Sequence, residues 1–226
     1  MDTSGKKLWY LENFNILKAL SKKEMMNLNE QTKMRNCHKN EVIYLPYEKS
    51  NTLYFLKEGK VKIASVSEDG KEMIHAILGQ GEIFGELAIT DDQGERKQIA
   101  EATEDALICS IDVKEFGEFM QNNSNLNLSI TKAIGFRLRK IQARLESLWF
   151  KSAPERISSF IKDLTDEHGK DIGDEKVVQL NLTHQEIASL TATTRQTVTS
   201  TLNDLEKKGI IIYDRKRILI KKYDLL

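Results

Sequence analysis

The hydrophobic period of this chain changes partway along, and that change limits what it can fold into. Between Asn40 and about Ile111, apolar residues come in short runs at 42–45, 53–56, 61–66, 73–78 and 106–111. Glu58-Gly59, Asp69-Gly70 and Gly79-Gln80-Gly81 separate several of them. Runs of this length ended by turn signals are strands, and strands so spaced close into a compact antiparallel barrel or sandwich. From Val113 the period becomes helical and, after a polar interruption at 121–125, a long helix runs to about Lys151. Along it Ile134, Leu138, Ile141, Leu145 and Leu148 repeat at steps of four and three. That seam is what a two-stranded coiled coil buries, so a homodimer follows; packing on the protein's own barrel is the competing use of the same face.

Ahead of the barrel, Leu11, Phe14, Leu17 and Leu20 and, after a Ser21-to-Glu24 capping box, Met25, Met26 and Leu28 mark short amphipathic helices. Pro154 sits just inside a new helix carrying Ile157, Phe160, Ile161 and Leu164, which starts another domain. The organisation is therefore α+β: a sensor barrel over 1–122, a dimerisation helix over 123–152 and a C-terminal domain over 153–226.

The C-terminal domain points to DNA. Ile187 and Leu190 line one face of a first helix, and Val198, Leu202 and Leu205 line a second. Thr183 and Glu186 make a capping box, Thr194 is a second N-cap, and Gly209 ends the pair. With the apolar face inward, Arg195, Gln196, Thr199, Ser200 and Asn203 face outward, which suits a helix-turn-helix whose second helix enters a major groove. Arg matches the two acceptors on the guanine edge and Gln matches adenine. Residues 210–213 and 218–222 then read as a β-hairpin around Asp214-Arg215-Lys216-Arg217, a wing with a basic turn. From Arg195 onward eight Lys and Arg stand against four Asp and Glu, in a chain of zero formal charge. That local excess suits phosphates. A helical hairpin with an ordinary polar face, and a solvated edge hairpin, are the plain readings of the same segments.

Composition narrows the class further. With 40% hydrophobic and 30% charged residues, 226 residues make a globular protein of one large or two ordinary domains. No apolar run approaches the ~18 residues of a membrane helix, and MDTSGKK is no signal peptide, so a cytoplasmic protein without a membrane partner is expected. Cys37 and Cys109 are too few for a thiolate cluster, the four His are dispersed, and no metal site is expected. His75, on an apolar strand, reads as a packed or hydrogen-bonded residue. The glycines at 79, 81 and 85 lack the spacing of a dinucleotide loop and read as turns. No nucleophile, base and orienting group come together in the pattern, and an enzyme is not expected.

The segment GKEMIHAILGQGEIFGELAI, residues 70–89, preceded by EGKVKIASVSEDGKE and followed by Arg96, resembles the barrel hairpin and phosphate-binding cassette of the Crp/Fnr transcription regulators. These are bacterial, allosteric, homodimeric proteins typified by the cyclic AMP receptor protein, and the resemblance spans nearly the whole chain. It implies a cyclic-nucleotide-binding-type β-barrel (a jelly roll), a long dimerisation helix and a winged helix-turn-helix. It also implies that Arg96 meets a phosphate, Glu86 accepts a ribose hydroxyl, and Gly85, Leu87 and Ala88 bring backbone close to the ligand, with Lys97 and Gln142 beside it. Two departures stand out. Lys97-Gln98 replace the small hydroxyl residue and Ala that follow the cassette Arg in cyclic-AMP-binding members, and Ile141 and Gln142 fall where two hydroxyl residues reach adenine. The effector is then cyclic AMP or another cyclic nucleotide, another anionic metabolite, or none. The oxygen-sensing branch uses a Cys cluster that this chain lacks.

By the same resemblance Thr183, Thr194, Arg195, Gln196, Thr197, Thr199, Ser200 and Lys216 form the DNA-binding set, acting on double-stranded DNA at a palindromic operator. The receptor's Arg-Glu-Thr-Val-Gly-Arg reads here Arg195-Gln196-Thr197-Val198-Thr199-Ser200, so half-site preference differs. Activation would add RNA polymerase as a partner, through a surface the sequence does not mark. A cyclic-nucleotide-binding module that acts through a protein partner, and a ligand-independent regulator of the same type, are the alternatives.

Overall fold

The computed structural model describes residues 11, 14–89, 94–180, 182–214 and 216–226. The MDTSGKK segment and Arg215 of the basic turn lie outside them. The chain divides into two compact units, with the division inside the long helix between Leu138 and Arg139.

The first unit is a β-barrel of two facing sheets. Strands β1 (Lys33–Cys37), β2 (Val42–Tyr44), β3 (Thr52–Glu58), β4 (Val61–Val66), β5 (Glu72–Leu78), β6 (Ile83–Phe84), β7 (Ile99–Ala102) and β8 (Ala106–Asp112) pair in the orders β1-β8-β3-β6 and β2-β7-β4-β5. All pairings are antiparallel, with Leu53 opposite Ile111 and Val61 opposite Leu78. One core lies inside the sheets, around Leu56, Val61, Phe84 and Ile108. A second lies between β3, β8 and the helices, where Phe14, Phe55 and Phe116 meet edge to face.

The helices of this unit are α1 (Lys22–Gln31), α2 (Val113–Asn122) and the first half of α3 (Ser124–Phe150). The Ser21–Glu24 capping box starts α1 as the sequence predicts, with Met25 and Leu28 buried but Met26 exposed. The polar interruption narrows to Asn123, because Asn123 caps both neighbours: its Oδ1 accepts from Leu126 N at 2.9 Å and its backbone N–H donates to Met120 O. Leu126 and Ile130 are buried in the helix-side core, and Ile134 packs partly against it. Leu138, Ile141, Leu145 and Leu148 are exposed along the rest of α3.

The second unit contains the remainder of α3, then α4 (Ala153–His168), strands β9 (Lys170–Ile172) and β10 (Glu175–Gln179), α5 (His184–Leu190), α6 (Arg195–Lys207) and strands β11 (Ile211–Tyr213) and β12 (Arg217–Ile220). The Ser152–Glu155 box and Pro154 open α4. The wing hairpin is half of a four-stranded antiparallel sheet ordered β11-β12-β10-β9. Ile157, Ile161, Ile187, Val198, Leu202 and Ile218 belong to its core, so the α6 face read from its spacing is the buried one, while on α5 Ile187 is buried and Leu190 only half-buried.

Candidate effector cassette and DNA-reading surface

In the barrel, Gly85 precedes a 3-10 turn over Glu86–Ile89. Gly85 has φ +78°, and a Cβ there would lie 2.6 Å from Thr52 O and 3.2 Å from Arg96 Nη1. The position demands glycine because two parts of the protein close on it. Arg96 is buried; its Nη2 donates to Thr52 O at 2.9 Å and its guanidinium lies 3.9 Å from the centre of the Tyr44 ring. Backbone bonds from Tyr47 N to Arg96 O and from Arg96 N to Glu48 O fix the residue. Tyr54 and Phe84 stack at 4.8 Å beside it. Burial pushes the Tyr44 phenol up to about 12, with Arg96 pulling it the other way and Glu86 adding to the rise.

Glu86 is buried and bonded to Arg137 of α3, whose Nη2 also donates to Ile83 O at 2.9 Å. Arg137 escaped the sequence reading because no spacing links it to residue 86. Leu87 is exposed and Ala88 buried, while Lys97, next to Arg96 in the chain, is exposed. Gln142 is exposed on α3 beyond the unit division. His75 Nε2 is 2.7 Å from Ser65 Oγ, a hydrogen-bonded strand residue as expected.

In the second unit the candidate reading surface is built around α6. The Thr183–Glu186 box caps α5, with Thr183 N and Oγ1 both on Glu186 Oε2 at 2.6 and 2.8 Å. Thr194 caps α6 by accepting from Thr197 N at 3.1 Å, and its hydroxyl lies 2.9 Å from that of Thr197. Of the predicted DNA set, Thr183, Thr194 and Thr197 are thus engaged in caps. Thr194, Arg195, Gln196, Thr199, Ser200 and Asn203 line one shallow concave surface on the outer side of α6. At the wing turn Asp214 Oδ1 accepts from Lys216 N and Arg217 N at 2.7 and 3.0 Å, leaving Lys216 exposed.

Two arginines that the sequence did not single out hold the turn between the helices. Arg144 donates to Ser189 O at 2.7 Å. Arg156 reaches Thr191 O, Ala192 O and Lys151 O at 2.8–2.9 Å. Both meet the carbonyl end of α5, where orphan acceptors and the helix dipole favour a cation. Ala192 there has φ +49°, an unusual value for alanine that these bonds help to fix. Among the described residues no cluster of metal-ligating side chains occurs, and no helix is long and apolar enough to cross a membrane.

A barrel with this cassette, a long helix and a winged helix-turn-helix defines a class of DNA-binding transcription regulators with a sensor domain. Comparison with known proteins agrees along the chain. A cyclic nucleotide-binding domain model matches residues 34–123 and a Crp-like helix-turn-helix domain model matches residues 155–226. The chain is 29% identical over 185 residues to the global nitrogen regulator of Nostoc sp., covering 81% of this chain and 83% of that protein. It is 27% identical to the CRP-like cAMP-activated global transcriptional regulator of Mycobacterium tuberculosis, covering 93% of each. A CooA mutant from Carboxydothermus hydrogenoformans superposes with a TM-score of 0.82 at 27% identity, covering 95% of each chain. The chain belongs to the Crp/Fnr family of DNA-binding transcription regulators.

Proposed function

We propose that the protein acts in the cytoplasm as a homodimer on a palindromic operator and that a cyclic nucleotide in the barrel sets its affinity for DNA. The observation that carries the effector reading is the cassette: a buried Arg96 and a buried Glu86, both acting on Tyr44, beside a turn whose amides at Leu87 and Ala88 follow Gly85. A guanidinium supplies charge-assisted bonds to a cyclic phosphate, and Lys97 adds a second cation. Glu86 takes a ribose hydroxyl. Each half of the operator carries a guanine read by Arg195, with Gln196, Thr199 and Ser200 around it, and Thr183, Thr194, Thr197 and Lys216 on the backbone. Exposed Leu138, Ile141, Leu145 and Leu148, continuing the line of Ile134, form the dimer seam. Activation of a promoter adds RNA polymerase as a partner. We assign no catalytic role.

The Glu86–Arg137 pair favours a second reading, in which the protein's own side chains satisfy the cassette and the regulator needs no ligand. Calorimetric titration of cyclic AMP and cyclic GMP into the wild type and Arg96→Ala separates the two. Micromolar binding by the wild type, lost in the variant, is the expected result; absence of heat with both nucleotides overturns the effector reading.

A further inference from the structure

Two residues on the reading face of α6 are already held by neighbours outside that helix. Tyr213, on β11 of the wing, donates its hydroxyl proton to Asn203 Oδ1 at 2.8 Å. Thr199 Oγ1 lies 3.0 Å from Arg195 O, within its own helix, and 2.9 Å from His184 Nδ1 of α5. The rings of His184 and Tyr213 lie 6.1 Å apart, so both supports stand side by side beneath the face. Asn203 is itself exposed on the concave surface, on the same stripe as Arg195, Gln196, Thr199 and Ser200.

An asparagine free to turn pairs with adenine by donating to N7 and accepting from the N6 amino group. That pairing needs an outward acceptor. Where Oδ1 is engaged with a phenol, the side chain presents its two N–H donors instead, and these match guanine O6 and N7 or thymine O4. On adenine they find only N7 as an acceptor, and they have nothing to offer its amino group or that of cytosine. We propose that Asn203 reads a base in each half-site and that Tyr213 sets which base: the phenol orients the carboxamide with its N–H donors outward, so guanine or thymine is favoured there over adenine. Tyr213 is thus a positioning residue for specificity.

This inference rests on α6 reading DNA. The test is selection from a randomised duplex library by the full-length protein, with and without cyclic AMP, in parallel with Tyr213→Phe and Asn203→Ala. The wild type is expected to enrich guanine or thymine at one position per half-site, and Asn203→Ala, an exposed change that leaves the core intact, to lose that preference alone. Tyr213→Phe keeps the ring that packs the wing and frees the amide. It is expected to raise adenine at that same position about tenfold relative to guanine, with other positions unchanged. A merely structural tyrosine would weaken all sites alike. If the wild type selects a palindrome and Tyr213→Phe or Asn203→Ala selects the same bases at every position, the inference fails while the DNA reading stands. If the wild type enriches no sequence, both fall.

Discussion

Truncating the middle of the exposed seam separates dimer from monomer energetics. Leu138, Ile141, Leu145 and Leu148 are 53%, 50%, 61% and 40% exposed in the single chain. Full burial of a leucine side chain stabilises by roughly 1.5–3 kcal/mol, so covering the exposed part of Leu145 contributes about 1 kcal/mol per chain. Leu145→Ala changes both copies, and a loss of about 2 kcal/mol per dimer weakens association roughly 30-fold. The variant keeps the helix, because alanine is the best helix former and Leu145 makes little of its contact within the chain. Sedimentation equilibrium gives the dimer constant, and denaturation of the diluted monomer gives its intrinsic stability. Dimer constants equal within threefold refute the seam. So does a loss of monomer stability as large as the loss of association.

The remaining predictions concern positions where the geometry leaves little freedom. Gly85→Ala sets a Cβ against Thr52 O at a positive φ and is expected to cost about 1–3 kcal/mol, read as a lower midpoint in thermal unfolding. Arg156→Ala strips a charged donor from three carbonyls and is expected to cost about 1.5–3 kcal/mol in denaturant unfolding; Arg156→Lys recovers only part, because one ammonium cannot span the fork. Burial, and then Arg195, hold His184 below its ordinary 6.5, so the unfolded chain binds that proton more tightly. Its contribution is fully favourable above about pH 6.5 and declines as the pH falls through that value toward the folded pKa. His184→Gln is expected to flatten this acid limb in paired melts, and identical pH dependence in variant and wild type would exclude His184 as its source.

What the sequence showed and what it concealed follow from the range of the interactions. Strands β3, β4, β5 and β8 were legible because each carries a run of apolar residues beside turn signals. Strand β1, with Lys33, Arg35 and Asn36 on a sheet edge, and β9, with all three residues exposed, carry no such run, and β6 is two residues long. Strands β1 and β6 are held by partners far along the chain, β8 and β3, which local pattern does not report, while β9 pairs with the adjacent β10 but has no buried face to mark it. Caps at Ser21, Thr183 and Thr194 were readable because both members sit within one turn. The Glu86–Arg137, Arg144–Ser189 and Tyr213–Asn203 contacts join residues from separate elements, and only the folded chain brings them together. Gly85 was recognised as a point of close approach; the structure adds that Thr52 and Arg96 are what approach it.

The most direct test of the account is the affinity of the full-length dimer for its selected palindrome and for a scrambled duplex across a salt series, with Arg195→Ala alongside. The account predicts tighter binding to the palindrome by about a thousandfold or more, and a linear fall of log affinity with log salt. It also predicts a loss of about 1–3 kcal/mol for Arg195→Ala on the palindrome alone. Equal, salt-insensitive affinity for both duplexes, unchanged in Arg195→Ala, contradicts it.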